Sequence, residues 1–104
     1  MYVLIDKKKY KLVDSISFYD RFKGLMFTRE FDYCMRFGNC SSIHTFFMST
    51  SIDVVMTDID NNVLFIFRDV SPFRVILPKK GVYNVYELPS GSVKHDIKKI
   101  KVID

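Results

Sequence analysis

Apolar and polar residues alternate over short stretches that are repeatedly broken by turn-forming residues, the pattern of a mainly β chain. The clearest instance is the pair of β-branched, apolar runs 52–59 and 63–70, separated by Asp60, Asn61 and Asn62. These three residues tolerate the left-handed backbone of a tight turn, so the segment predicts a hairpin. Val54, Met56, Leu64 and Ile66 alternate there with Val55, Ile59, Phe65 and Phe67. A strand that is apolar on both faces must be covered on both. Further strands are expected at 1–5 and 10–16 across a lysine turn, at 31–37 closed by Gly38 and Asn39, and at 43–47. A second hairpin is expected from 73–77 and 82–88 around Pro78, Lys79, Lys80 and Gly81. The last run, 97–103, alternates Ile and Lys as a half-exposed strand does.

One segment has helical spacing instead. Ser17 precedes Asp20 by three residues, a start resembling a capping box, and Phe18, Phe22 and Leu25 then share one face over 18–26. The expected architecture is therefore mainly β (α+β), a small, partly open β barrel of about seven or eight strands with one main helix plugging a side. Met48, Val54, Met56, Leu64, Ile66 and Phe22 are its expected core.

A chain of 104 residues without linker, repeat or low-complexity run reads as one domain, 1–104. Its hydrophobic fraction of 48% and charged fraction of 27% suit a folded protein rather than a disordered one. Sixteen aromatic residues, ten Phe and six Tyr, suffice for a core without metal or disulfide. The two cysteines, Cys34 and Cys40, do not form a disulfide framework and read as free thiols. The first apolar run stops at Asp6 and is too short for a signal core, and no segment reaches the length of a spanning helix. The expectation is a cytoplasmic protein.

The net charge of +4 is unevenly spread. Residues 1–29 and 71–104 each carry seven basic and three acidic side chains, whereas residues 30–70 carry two and six. Lys7, Lys8, Lys9 and Lys11 bunch near one end, and Lys98, Lys99 and Lys101 near the other. If the ends meet, they form a patch for an anionic partner. Otherwise they are solvated turns and edges, where lysines discourage aggregation. Tyr10 among lysines offers a base-stacking ring, but no recognition helix, zinc finger or ribonucleoprotein-type motif accompanies it, so nucleic acid is not the favoured partner.

Four segments in order carry a family resemblance: Gly24-Leu25-Met26 with Arg29; Cys40 to Met48 leading into Ile52-Asp53-Val54-Val55 and Asp58; Pro72-Phe73-Arg74; and Glu87-Leu88-Pro89-Ser90-Gly91. They are similar to the "Ile-His-Thr-Phe-x-Met … Ile-Asp-Val", "Pro-Trp-Arg" and "Leu-Glu-Leu-Pro-Ala-Gly" motifs of the domain of unknown function 192 family. Ser51 stands where that family usually has Pro, and Phe73 where it usually has Trp. The resemblance implies a fold and no activity. Many of the relatives resemble exported proteins with leaders.

Candidate chemistry centres on the second segment. Cys40, His44 and Asp53 offer three metal-ligand types with an open fourth position, as in catalytic zinc sites. Yet no second Cys or His pair closes such a site. A Cys40–His44 catalytic pair meets a geometric objection, because four residues of strand span about 13 Å and the pair must touch. His44 on an apolar strand also fits a hydrogen-bonded core histidine. Asp53 in an apolar run requires partners, with His44 and Arg74 the expected ones. The alternative is a cleft in which His44, Thr45, Asp53 and Arg74 converge on a small polar ligand. The resulting reading is a non-enzymatic binding or accessory module without cofactor, for a small polar ligand or a protein partner. A metal- or cysteine-dependent enzyme and a polyanion binder are the alternatives.

Overall fold

The computed structural model describes residues 1–15, 32–45 and 50–104. Nine strands occur among them: β1 (Tyr2–Ile5), β2 (Lys8–Ser15), β3 (Tyr33–Gly38), β4 (Ile43–His44), β5 (Ile52–Thr57), β6 (Val63–Val70), β7 (Val75–Ile76), β8 (Asn84–Pro89) and β9 (Lys101–Ile103). Seven form one sheet in the order β6-β5-β8-β3-β2-β1-β9, and β4 and β7 form a separate ribbon. All pairings are antiparallel except β2 with β3. The mainly β expectation holds, and no helix occurs among the described residues. The expected helix at 18–26, and with it Phe22 and Met48, lies outside the described residues.

The sheet curls into a half-barrel. The 98–100 segment that leads into β9 reaches across to the start of β6. There Val63 donates to the Lys98 carbonyl at 2.8 Å, and Ile100 donates to that of Asn61 at 2.9 Å. Asn62 and Lys99 form an antiparallel bridge between them. This use of residues 98–100 shortens the expected 97–103 strand to Lys101–Ile103. The inner face holds Val3, Ile5, Tyr10, Leu12, Cys34, Val55, Tyr86, Leu88, Val93 and Ile100. Met35, Phe37, Ile52, Val54, Met56 and Val85 form a second layer on the outer face, with Ile76 from the β4–β7 ribbon. Strands β5 and β8 supply both layers, which explains their unbroken burial.

Two turns follow the local chemistry of the sequence. Asp6 and Lys7 take positive φ between β1 and β2, as does Asn61 between β5 and β6. At the second turn Asp58 Oδ1 accepts the backbone N–H groups of Asp60 and Asn62, each at 2.9 Å. Such carboxylate-to-backbone bonds are why Asp and Asn favour turns.

Three expectations are corrected. Leu64 is 41% exposed rather than in the core. Met56 pairs with Phe65 but Thr57 pairs with Val63, so Leu64 is the additional residue of a β-bulge. Because side chains alternate with period two, that extra residue breaks the expected alignment. Val63 packs on the inner layer, and Ile66 stands opposite Val55 rather than beside Val54 and Met56. The second expected hairpin does not form either. Strand β7 pairs with β4, while β8 lies between β3 and β5. Strand β8 is buried on both faces and takes a central place in the sheet, with a strand on either side. Third, β6 is an edge strand, partly exposed along its length, and only β5 of that hairpin is buried throughout.

Candidate functional site

Asp53 has a structural assignment. Ile52 pairs with Val70 and Val54 with Phe67, so Asp53 faces two residues, Arg68 and Asp69, across a second bulge. Asp69 takes the left-handed conformation there (φ 53°), and a bulge leaves backbone groups outside the ladder. Asp53, only 1% exposed, meets that need. Its Oδ1 accepts the Asp69 N–H and its Oδ2 accepts the Val93 N–H, both at 2.9 Å. The expected partners were His44 and Arg74; the hydrogen bonds go to backbone donors instead. The bulge presents the Asp69 amide directly to the carboxylate.

Thr45 and Arg74 are brought together, through their backbones. Thr45 donates its N–H to the Arg74 carbonyl at 2.8 Å. The Thr45 hydroxyl donates to the Ser71 carbonyl and accepts the Arg74 N–H, each at 2.8 Å. Thr45 is buried and clips the 71–74 turn to the end of β4. The exposed Arg74 guanidinium donates from Nε to Ser71 Oγ at 3.1 Å. It borders a broad depression shared with Phe67, Asp69 and Lys79. Of the four expected ligand-binding residues, then, Asp53 and Thr45 have their polar atoms engaged in holding backbone.

His44 stands elsewhere. With Cys40, Ser42, Ile43, Phe37 and Glu87 it lines a cavity of about 170 Å³ between β3, β4 and β8. His44 is exposed and Ser42 and Ile43 half-buried at its mouth, while Phe37 and Glu87 are buried at its floor. Cys40 and His44 thus share a wall, but the Cys40 thiol points its hydrogen at the Ser42 carbonyl, 3.0 Å away. Asp53 does not join them, and no group of three His, Cys, Asp or Glu positioned for a metal ion occurs among the described residues. Cys34 is fully buried, and desolvation raises its thiol pKa far above the ordinary value.

Glu87 is the residue that sequence reasoning missed. It lies in the centre of β8 opposite Met35 and Val54 and is 4% exposed. Its carboxyl has no hydrogen bond or ion pair among the described residues. Desolvation raises its pKa to about 8. The available signal was a lone glutamate between Val85-Tyr86 and Leu88, in a run otherwise apolar enough to be central.

Comparison with known proteins gives the chain its relatives. The family described as "Uncharacterized ACR", domain of unknown function 192, matches residues 5–104. The chain belongs to that family. A UPF0127 protein from Thermococcus sibiricus is 36% identical over 93 residues, covering 84% of this chain and 58% of the relative. One from Thermococcus kodakarensis is 33% identical over 93 residues, covering 83% and 57%. The chain therefore spans less than two thirds of these curated relatives. A protein of unknown function from Novosphingobium aromaticivorans has the same fold, with TM-score 0.76, 18% identity and coverage of 97% of this chain and 82% of that one. A Sinorhizobium meliloti protein provisionally described as a transcription regulator superposes with TM-score 0.79 and 16% identity, covering 96% and 89%. No helix of the described residues is long and apolar enough to cross a membrane.

The motifs of the domain of unknown function 192 family now have places in the fold. The Ile-Asp-Val aspartate, Asp53, holds the bulge, and the Leu-Glu-Leu-Pro glutamate, Glu87, floors the cavity. Phe73, at the position usually Trp, takes positive φ (64°) and is 69% exposed, so it is not a core aromatic.

The lysine clusters partly meet. Leu4 of β1 pairs with Lys9 on one side and Lys101 on the other. Tyr2, in the next row of the same face, pairs with Lys11 and lies 4.3 Å beneath the Lys9 ammonium. Lys8 belongs to the opposite face, where it approaches the Tyr10 ring at 5.0 Å.

Proposed function

We propose that this chain is a binding module that takes a small polar ligand in the cavity between β3, β4 and β8. The observation supporting it is Glu87, a buried carboxyl opening into a cavity with no polar partner among the described residues. Burial of a polar group is destabilising unless it is matched, and the cavity that Glu87 lines is a route by which a ligand can reach it. The cavity is below the usual range of drug-sized pockets, which restricts the ligand to a few heavy atoms. His44 and Ser42 at the mouth supply further hydrogen-bonding groups, and Phe37 and Ile43 supply apolar contact. His44 is retained from the sequence reading; Asp53 and Thr45 support the surrounding backbone, and the exposed Arg74 guanidinium bonds the Ser71 hydroxyl.

The test is an NMR titration with a panel of small polar probes. Binding should move the amide resonances of residues 37–44 and 85–88 together. Filling the cavity by Ser42→Phe should abolish the response. Probes that perturb other surfaces only, or a Ser42→Phe variant that responds unchanged, would reject the cavity as the site.

A second reading has its own support. The Lys9–Leu4–Lys101 row, with Lys11 and Tyr2 beside it, makes a continuous basic face able to meet an anionic partner.

A further inference from the structure

The chemistry of this cavity narrows its ligand, on the reading that the cavity is the binding site. We infer that the cavity binds a protonated alkylamine, with its ammonium on the Glu87 carboxylate and its carbon chain against Phe37 and Ile43. Four observations combine. Glu87 lies at the floor and the mouth is formed by half-buried or exposed residues, so a ligand entering from solvent ends on the carboxyl. No cation of the described residues reaches that carboxyl. Residues Met35 and Val54 flank it across the neighbouring strands, so the sheet on either side of it is apolar.

The fourth observation is Phe37, whose ring shares the floor and whose face would favour a cation over a neutral group. An ammonium brings both opposite charge and N–H donors, and a charge-assisted bond at a buried carboxyl is stronger than a neutral one. Anions are disfavoured by the same carboxyl. A metal ion would require several more ligands than Glu87 provides, since Cys40 has its thiol on a carbonyl and Asp53 is engaged elsewhere. The volume of about 170 Å³ accommodates a chain of a few carbons and no large headgroup.

The experiment compares three probes of equal length, n-butylammonium, butan-1-ol and butyrate, by NMR titration in mildly alkaline phosphate buffer. The wild-type protein and Glu87→Gln are titrated side by side. Glutamine keeps the shape and removes the buried charge, so the variant is expected to fold. Wild type should prefer butylammonium to butan-1-ol by at least about tenfold, with butyrate weakest. Glu87→Gln should bring amine and alcohol to about equal affinity, while Glu87→Asp should keep the order amine over alcohol. Equal binding of amine and alcohol by wild type, or a preference that survives Glu87→Gln, would overturn the amine assignment while leaving the cavity as a site. A cavity that responds to none of the three probes would overturn the cavity reading and the amine assignment together.

Discussion

Glu87→Gln should make the protein more stable, and increasingly so as pH rises. The carboxyl titrates near 8 in the folded chain against an ordinary 4.5, because burial disfavours its charged form. Below the ordinary value both states carry the proton and the group contributes no penalty. Between the two values the unfolded chain releases its proton and the folded chain does not, so the folded state loses ground with rising pH. Above the higher value the loss is complete and constant. Each pH unit in the interval is worth about 1.4 kcal/mol, so the whole span corresponds to about 5 kcal/mol. Glutamine does not titrate, and the difference between variant and wild type isolates this one group. Urea unfolding of both proteins at about pH 5 and about pH 8 measures it, given two-state behaviour. The stability advantage of Glu87→Gln should widen by several kcal/mol between the two conditions. A gap that stays constant within about 0.5 kcal/mol would refute the argument, since it would mean that the carboxyl is hydrated or paired in the folded chain.

Asp53→Asn should lower stability by about 1–3 kcal/mol in the same urea assay, because an amide NH₂ would face one of the two backbone donors now bonded to the carboxylate. An unchanged midpoint would show that the bulge does not depend on those bonds. Leu88→Ala should cost about 2–5 kcal/mol while Leu64→Ala should cost less than about 1.5, since one is fully buried and the other is a half-exposed bulge residue. Equal losses would place Leu64 back in the core. Replacing Lys9 and Lys101 together by Glu should abolish salt-sensitive retention on heparin, which the basic face of β1, β2 and β9 predicts. Retention that is absent in the wild type leaves those lysines as a solvated edge.

The sequence made the strands legible wherever local chemistry alone defines them. The Asp60-Asn61-Asn62 turn and the β1–β2 turn are read directly from residues that accept positive φ, and both hairpins form. Pairing partners were less accessible. Nothing in the run 73–88 says that its first half joins β4 and its second half enters the centre of the sheet, because that choice depends on what is already buried on each side. Bulges hid the rest. A single additional residue at Leu64 and another opposite Asp53 change which side chains share a face, and neither leaves a mark in apolar alternation. His44 could be located as a wall residue of a cavity only after β4 proved to be two residues long and paired outside the main sheet.

The two carboxylates in the apolar strands show why a charged residue in a core is ambiguous until its surroundings are known. Asp53 and Glu87 lie on adjacent strands, β5 and β8, and both are almost completely buried. Asp53 stands opposite Leu88 and shares the inner face, where a bulge and the residue after the Pro89–Ser92 turn present two amide hydrogens to it. Glu87, one residue earlier on β8, stands opposite Val54 on the outer face, where the β5–β8 register is unbroken. Strand backbones satisfy one another in plane, so a side chain perpendicular to the sheet finds a backbone partner only where the ladder is broken. For Asp53 the broken ladder and the carboxylate explain each other, and no ligand is required. For Glu87 the register with β5 is unbroken and the space above the carboxyl is a cavity open to solvent. That contrast is what supports the proposal that Glu87 faces a ligand while Asp53 holds backbone.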